Sequence, residues 1–247
     1  MNETLTLSTA DGDMGIHVVR PDGAGPFPVI VFFHHGPGLD AGSKETMQLL
    51  ADGGGGHYVV SHDRYHREGA WYSMTPEMRS DQEAMQRFWG VLLGTTEEMV
   101  DADLQAVFGH LDADPAARSD GPLGCIGYCI GARSVVCSMA AHPDRFAAGV
   151  ALHPSFCTTD APDSPHLRVP KITGSMYVAF GAEDKMQAPG DNGPFIEAVR
   201  GMSDGRGEVE IHDGADHGFA VLSTPAYHAA AAGRSYEKAF ELFGKAL

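Results

Sequence analysis

Unbroken apolar runs alternate along this chain with stretches whose apolar residues recur every three or four positions. The run "PVIVFFHH" (28–35) has the pattern of a strand buried on both faces. The segments "HYVVSHD" (57–63), "LGCIGY" (123–128), "AAGVALHP" (147–154), "SMYVAFG" (175–181) and "EVEIHDG" (208–214) read as further strands. "TLTLSTADG" and "MGIHVVR" predict an opening antiparallel pair joined at Asp11-Gly12. Between the strands, "SKETMQLLADGG" (43–54) predicts a helix with Ser43 at its start and glycine after its end. Met85, Phe88, Trp89 and Leu92 fall at helical spacing. Residues 95–113 predict another helix, opened by Thr95-x-x-Glu98. "ARSVVCSMAAH", "DNGPFIEAVRGM" and a C-terminal stretch around 225–246 complete the helices. Strand–helix alternation of this kind predicts an α/β fold: a mainly parallel sheet with helices on both faces. Without a repeat or a dividing linker, residues 1–247 read as one domain.

Charge narrows the partners. The formal net charge is −16, from 17 basic and 33 acidic side chains. That argues against nucleic acid and against an anionic membrane surface, and it does not steer an anionic substrate. No apolar stretch is long enough to span a bilayer. The N-terminus lacks the basic and apolar regions of a signal peptide. Four cysteines without CxxC pairing fit a reduced, cytoplasmic protein. No metal and no cofactor is called for.

The candidate chemistry centres on Gly127-Tyr128-Cys129-Ile130-Gly131, which follows a strand and precedes a helix. On such a sharp turn flanking glycines avoid backbone clashes, and the central side chain stands above the carboxyl ends of the strands. The helix start favours thiolate over thiol. Free cysteine also serves as a small core residue, and Cys125, Cys137 and Cys157 are read that way. The strand–turn–helix context reverses the reading for Cys129.

A nucleophile needs a base and a group to orient that base. In chain order these follow as acid, then histidine. Glu183 and Asp184 lie just after the strand ending near Gly181, and Asp184 is preferred. His217 lies in a loop after the last strand. An oxyanion needs donors: the backbone N–H of Ile130 at the helix start, and that of Gly36, since Pro37 has none. Trp71, Tyr72 and Met74 are placed to line a pocket. Met85, Phe88 and Leu92 read as core, with Trp89 between the two roles.

The three motifs Gly127-Tyr128-Cys129-Ile130-Gly131, Gly181-Ala-Glu-Asp184 and Ala215-Asp-His217-Gly-Phe219 resemble those of the dienelactone hydrolase family, a branch of the α/β-hydrolases with a cysteine nucleophile. The resemblance runs from the strand at 28 to the C-terminal helix. It implies a sheet of about eight strands without a large cap, a Cys129-His217-Asp184 triad, and hydrolysis of small lactones or carboxylic esters through an acyl-enzyme. The small-molecule ester or lactone is then the expected partner. The founding enzymes pair their cysteine with a glutamate after the third strand, and the matching residue here is His35. They grip the substrate carboxylate with two arginines, whose matching positions are Gln82, ahead of Trp89, and Val221. Arg67 and Arg79 lie near enough in sequence to substitute. These departures leave a second reading open: a silenced member that binds a small ligand or partner. His62, Asp63 and His66 are metal-capable, but the resemblance makes their segment the loop at the top of a strand. The segment 153–170 is placed to cover the site.

Overall fold

A computed structural model describes residues 1–222 and 224–247. Strands β1 (Asn2–Thr9) and β2 (Gly12–Val19) pair antiparallel, and Gly12 takes φ +113° at the turn, a conformation suited to glycine. β1 alternates exposed and half-buried positions, as an edge strand should. β3 (Phe27–Phe33), β4 (Tyr58–His62), β6 (Leu123–Tyr128), β7 (Phe146–Leu152), β8 (Ser175–Gly181) and β9 (Gly207–His212) continue the sheet in the order β1-β2-β4-β3-β6-β7-β8-β9. A two-residue strand, β5 (Ala117–Arg118), pairs with β3 and brings the sheet to nine strands among the described residues, against about eight expected. β2 meets β4 antiparallel, and from β4 to β9 every pairing is parallel. The central strands carry near-continuous apolar runs because both of their faces are covered.

Two apolar layers do the covering. On one face lie Met47 and Leu50 of α1 (Ala41–Asp52) with Tyr236 and Phe243 of α6 (Ala229–Ala246), packed on Ile30, Phe32 and Val150. On the other lie Leu104 and Val107 of α3 (Glu97–Ala113), Val135 and Met139 of α4 (Ile130–Ala141), and Phe195 and Val199 of α5 (Gly193–Arg200). α2 (Gln82–Gly94) joins neither layer: its Phe88 and Leu92 pack with Ile130 beside the start of α4. Among the described residues no helix is long and apolar enough to cross a membrane.

Several boundaries differ from the sequence reading. α1 is capped by Asp40, not Ser43; the Asp40 carboxylate accepts the Ser43 N–H at 2.8 Å, which a serine three positions later cannot do for itself. α3 is capped by Thr96, one residue after the expected threonine. β3 ends at Phe33, so His34 and His35 belong to the loop above the sheet. α6 begins at Ala229, where the His228 ring accepts the Ala231 N–H.

Candidate active site

The turn between β6 and α4 leaves no room for side chains on either side of Cys129. A Cβ on Gly127 would stand 2.2 Å from the Gly131 carbonyl oxygen, and one on Gly131 would stand 2.2 Å from that of Phe33. Cys129 takes φ +56° and ψ −117°, a left-handed backbone that costs a non-glycine residue about 1–3 kcal/mol. The conformation is held by the Cys129 N–H donating to Leu152 O at 3.1 Å, and by Ala132 and Ser155 N–H groups donating to Cys129 O at 3.1 and 3.0 Å. Sγ lies 3.3 Å from Ser155 Oγ.

The loops after β8 and β9 supply Asp184 and His217. Asp184 is 4% exposed, and its Oδ1 accepts the N–H groups of Met186 and Gln187 at 2.9 and 2.7 Å. Its Oδ2 lies 2.7 Å from His217 Nδ1. A carboxylate only accepts, so Nδ1 carries a proton and Nε2 is the nitrogen left to take or give a second. Nε2 is buried and makes no hydrogen bond among the described residues. Glu183, the other acid considered, is exposed to solvent.

Burial alone would raise the Cys129 thiol pKa. The neighbouring His217 ring, the Ser155 hydroxyl and the charge of His35 outweigh burial and bring the thiol down to about 7. In the opposite sense burial disfavours a charged His217, but Asp184 and the thiolate hold its pKa well above the ordinary value. Thiolate and imidazolium therefore coexist between about pH 7 and about pH 10. Burial pushes Cys137 up to about 12 and holds Cys125 and Cys157 higher still. Only Cys129, among the four, is shaped for reactivity near pH 7.

The two expected oxyanion donors lie on either side of β6, in the loop after β3 and at the start of α4. Ile130 opens α4. Gly36 follows β3 in a buried loop whose peptide planes are pinned. His35 O accepts from Gly38 N–H at 3.0 Å and lies 2.8 Å from His34 Nδ1, which burial keeps neutral with a pKa of about 3. In a trans peptide the Gly36 N–H then points the other way. Tyr65 donates to Gly36 O at 2.9 Å. A side chain at Gly36 would run into Leu92 Cδ1 at 2.8 Å.

An apolar wall stands beside the thiol. Buried Phe88, Leu92 and Ile130 form its base, and half-buried Tyr72, Met74, Met78, Met85 and Phe156 pack with Cys129 against it. Tyr72 and Met74 thus take the lining positions expected of them, and Phe156 brings in the segment 153–170. Trp71 instead turns away: its N–H is held at 2.5 Å by Asp63, and its ring lies on the bare backbone of Gly15 in β2. Gln82 is exposed at the start of α2, and Trp89 is 38% exposed, edge-on to Phe88. Val221, expected to line the pocket, is a core residue. It is 2% exposed and packs in the layer under α1, near Gly42. His35 is drawn to Asp40, its Nε2 3.0 Å from Oδ2, and the bond helps bring Asp40 to about 2 against the effect of burial.

Arg67 is no free cation. Its guanidinium is clamped between Asp11 at 2.6 Å and Asp103 at 2.9 Å. His66 also turns to Asp103, at 3.1 Å, and among the described residues no group of three or more metal-capable side chains converges. Two residues near Cys129 and His217 carried no sequence signal. Ser155 lies against the thiol, and fully buried His153 packs its ring 5.1 Å from that of His217. Their one common cue is position: both directly follow β7, at the carboxyl edge of the sheet where ligands bind in open α/β folds.

The sequence pattern of the dienelactone hydrolase family matches residues 14–247. The chain is 24% identical over 241 residues to the carboxymethylenebutenolidase of Pseudomonas putida, covering 96% of this chain and 94% of that one. Among solved structures, a dienelactone hydrolase candidate from Klebsiella pneumoniae superposes with a TM-score of 0.81 at 19% identity, covering 99% of this chain and 98% of that one. A metagenomic dienelactone hydrolase-like promiscuous phosphotriesterase superposes with a TM-score of 0.72, also at 19% identity and with the same coverage. At such identities the superpositions speak for the fold.

Proposed function

The chain belongs to the dienelactone hydrolase family, and we propose that it is a cysteine hydrolase of small, uncharged lactones or carboxylic esters. The observation that carries this reading is the convergence of three groups: a thiol brought down to about 7, a His217 ring whose buried Nε2 has no hydrogen-bond partner among the described residues, and Asp184 on the far nitrogen at 2.7 Å. Nε2 takes the thiol proton, and Asp184 stabilises the resulting imidazolium. The thiolate attacks the carbonyl carbon. Charge developing on the carbonyl oxygen is met by the N–H groups of Ile130 and Gly36. Imidazolium then returns the proton to the leaving alkoxide, which in a lactone stays tethered to the acyl group. Water, deprotonated by Nε2, attacks the thioester carbonyl and the C–S bond breaks back to thiolate.

The silenced alternative drew on the histidine at the family's glutamate position. His35 engages Asp40 instead of withdrawing the thiol, and its charge acts to lower the thiol pKa. That favours turnover.

The test is hydrolysis of p-nitrophenyl acetate during timed alkylation by iodoacetamide. Label enters Cys129 ahead of the three other cysteines, and activity falls in step with it. Equal labelling of all four thiols at full residual activity contradicts the reading.

A further inference from the structure

Ser155 is a hydroxyl at the reacting sulfur that the triad does not use. It is 1% exposed, with Oγ 3.3 Å from Cys129 Sγ. Backbone bonds stitch its segment to the nucleophile from both directions: Cys129 N–H donates to Leu152 O, and Ser155 N–H donates to Cys129 O. Two non-glycine residues with left-handed backbone bracket it, His153 at φ +38° and Phe156 at φ +57°. Such backbone persists where surrounding structure imposes it, and it gathers at functional sites. Phe156 is further tied through its N–H to Gln187 Oε1 at 3.0 Å and through its carbonyl to Arg133 at 2.8 Å.

We propose that Ser155 is a further catalytic residue, whose hydroxyl donates a hydrogen bond to the Cys129 thiolate both before attack and as sulfur leaves the thioester. The inference rests on Cys129 being the nucleophile. A serine hydroxyl has one proton to give and an anionic sulfur accepts it, which makes the bond charge-assisted. Proton balance is unaffected. The thiol proton goes to His217 Nε2, and Ser155 keeps its own and forms no covalent bond. In deacylation the C–S electron pair returns to sulfur, where the hydroxyl already points. The other titratable groups around the sulfur are His217, His35, Tyr65 and Cys157, whose thiol burial keeps protonated and which donates to Ser155 O. His217 gains or loses its proton together with the thiol, His35 is engaged by Asp40 and Tyr65 by Gly36 O. Ser155 is thus the neutral donor dedicated to the sulfur.

The experiment reads the thiol without any ester present. Iodoacetamide labelling of Cys129 is followed against pH by peptide mass spectrometry in the parent, Ser155→Ala and Ser155→Thr proteins. The midpoint rises by about one pH unit in Ser155→Ala, a roughly tenfold loss of thiolate below the midpoint, and returns most of the way in Ser155→Thr. Ser155→Gly, also without the hydroxyl, gives the same reading should the alanine variant fold poorly. An unchanged midpoint in a folded hydroxyl-free variant overturns the proposal. A parent midpoint near 7 with no ester turnover would instead count against the proposed function.

Discussion

His217→Ala lowers kcat for a neutral ester by roughly a thousandfold, because it removes both the proton acceptor and the cation that stabilises the thiolate. The same substitution leaves burial as the main influence on the Cys129 thiol, opposed only by Ser155 and His35. The sign follows. With the pKa depressed, thiolate is present as pH rises through about 7 in the parent; without His217 that rise moves alkaline. Rate–pH profiles of both proteins check this, and a His217→Ala profile superimposable on the parent's contradicts it. Asp184→Asn retains Nε2 and costs less. Its residual loss comes from an amide that no longer stabilises the imidazolium on Nδ1. Glu183→Gln, at an exposed position, leaves kcat unchanged. Should Glu183→Gln cost more than Asp184→Asn, the acid has been misassigned.

A neutral lactone or ester is turned over with a kcat/KM some two to four decades above that of a matched carboxylate-bearing one. Each charge-assisted contact to a substrate carboxylate contributes about 1.5–3 kcal/mol, and two absent arginines remove roughly 3–6 kcal/mol. What stands beside the thiol is instead a wall of methionine, phenylalanine, leucine and tyrosine side chains. The arginines around it have partners: Arg67 pairs with Asp11 and Asp103, Arg133 with Glu97 and the Phe156 carbonyl, Arg64 with Glu97 and Ser134, and Arg87, over the Tyr72 ring, with Glu68 at 3.6 Å. A net charge of −16 adds a repelling field at low salt. Restoring a cation at Val221 is not a useful variant, since a guanidinium there would be buried in the apolar layer under α1. The measurement is kcat/KM for the matched pair at low ionic strength. Preference for the anion would mean that another cation, such as Arg79, reaches the substrate.

How much of this was legible in the chain depends on the range of the forces involved. The strands around Val31, Ile126 and Val150 announce themselves because burial on both faces demands an unbroken apolar run. The elbow is legible because Gly127 and Gly131 answer clashes with backbone close by in the fold. Asp184 and His217 follow from chain order once the elbow is placed. Val221 shows the limit. Its distance along the chain from His217 suggested the pocket, but Gly218 at φ +87° turns the chain and the Val221 N–H bonds back to Gly218 O, sending the side chain into the core. Trp71 is misread for a similar reason: a ring of that size reads as pocket lining until one sees that Gly15, far back in the chain, leaves a seat for it. Ser155 had no periodicity or spacing to mark it. Its contact with Cys129 is created by backbone bonds between β7 and the elbow.

In the proposed reaction Cys129 carries the acyl group. Peptide mass spectrometry of the protein, acid-quenched within the first turnovers of p-nitrophenyl acetate, tests it most directly. The expected result is an acetyl group on Cys129 that disappears as substrate is exhausted and never forms in Cys129→Ala. Acetylation confined to another side chain, or undiminished turnover by Cys129→Ala, would contradict it.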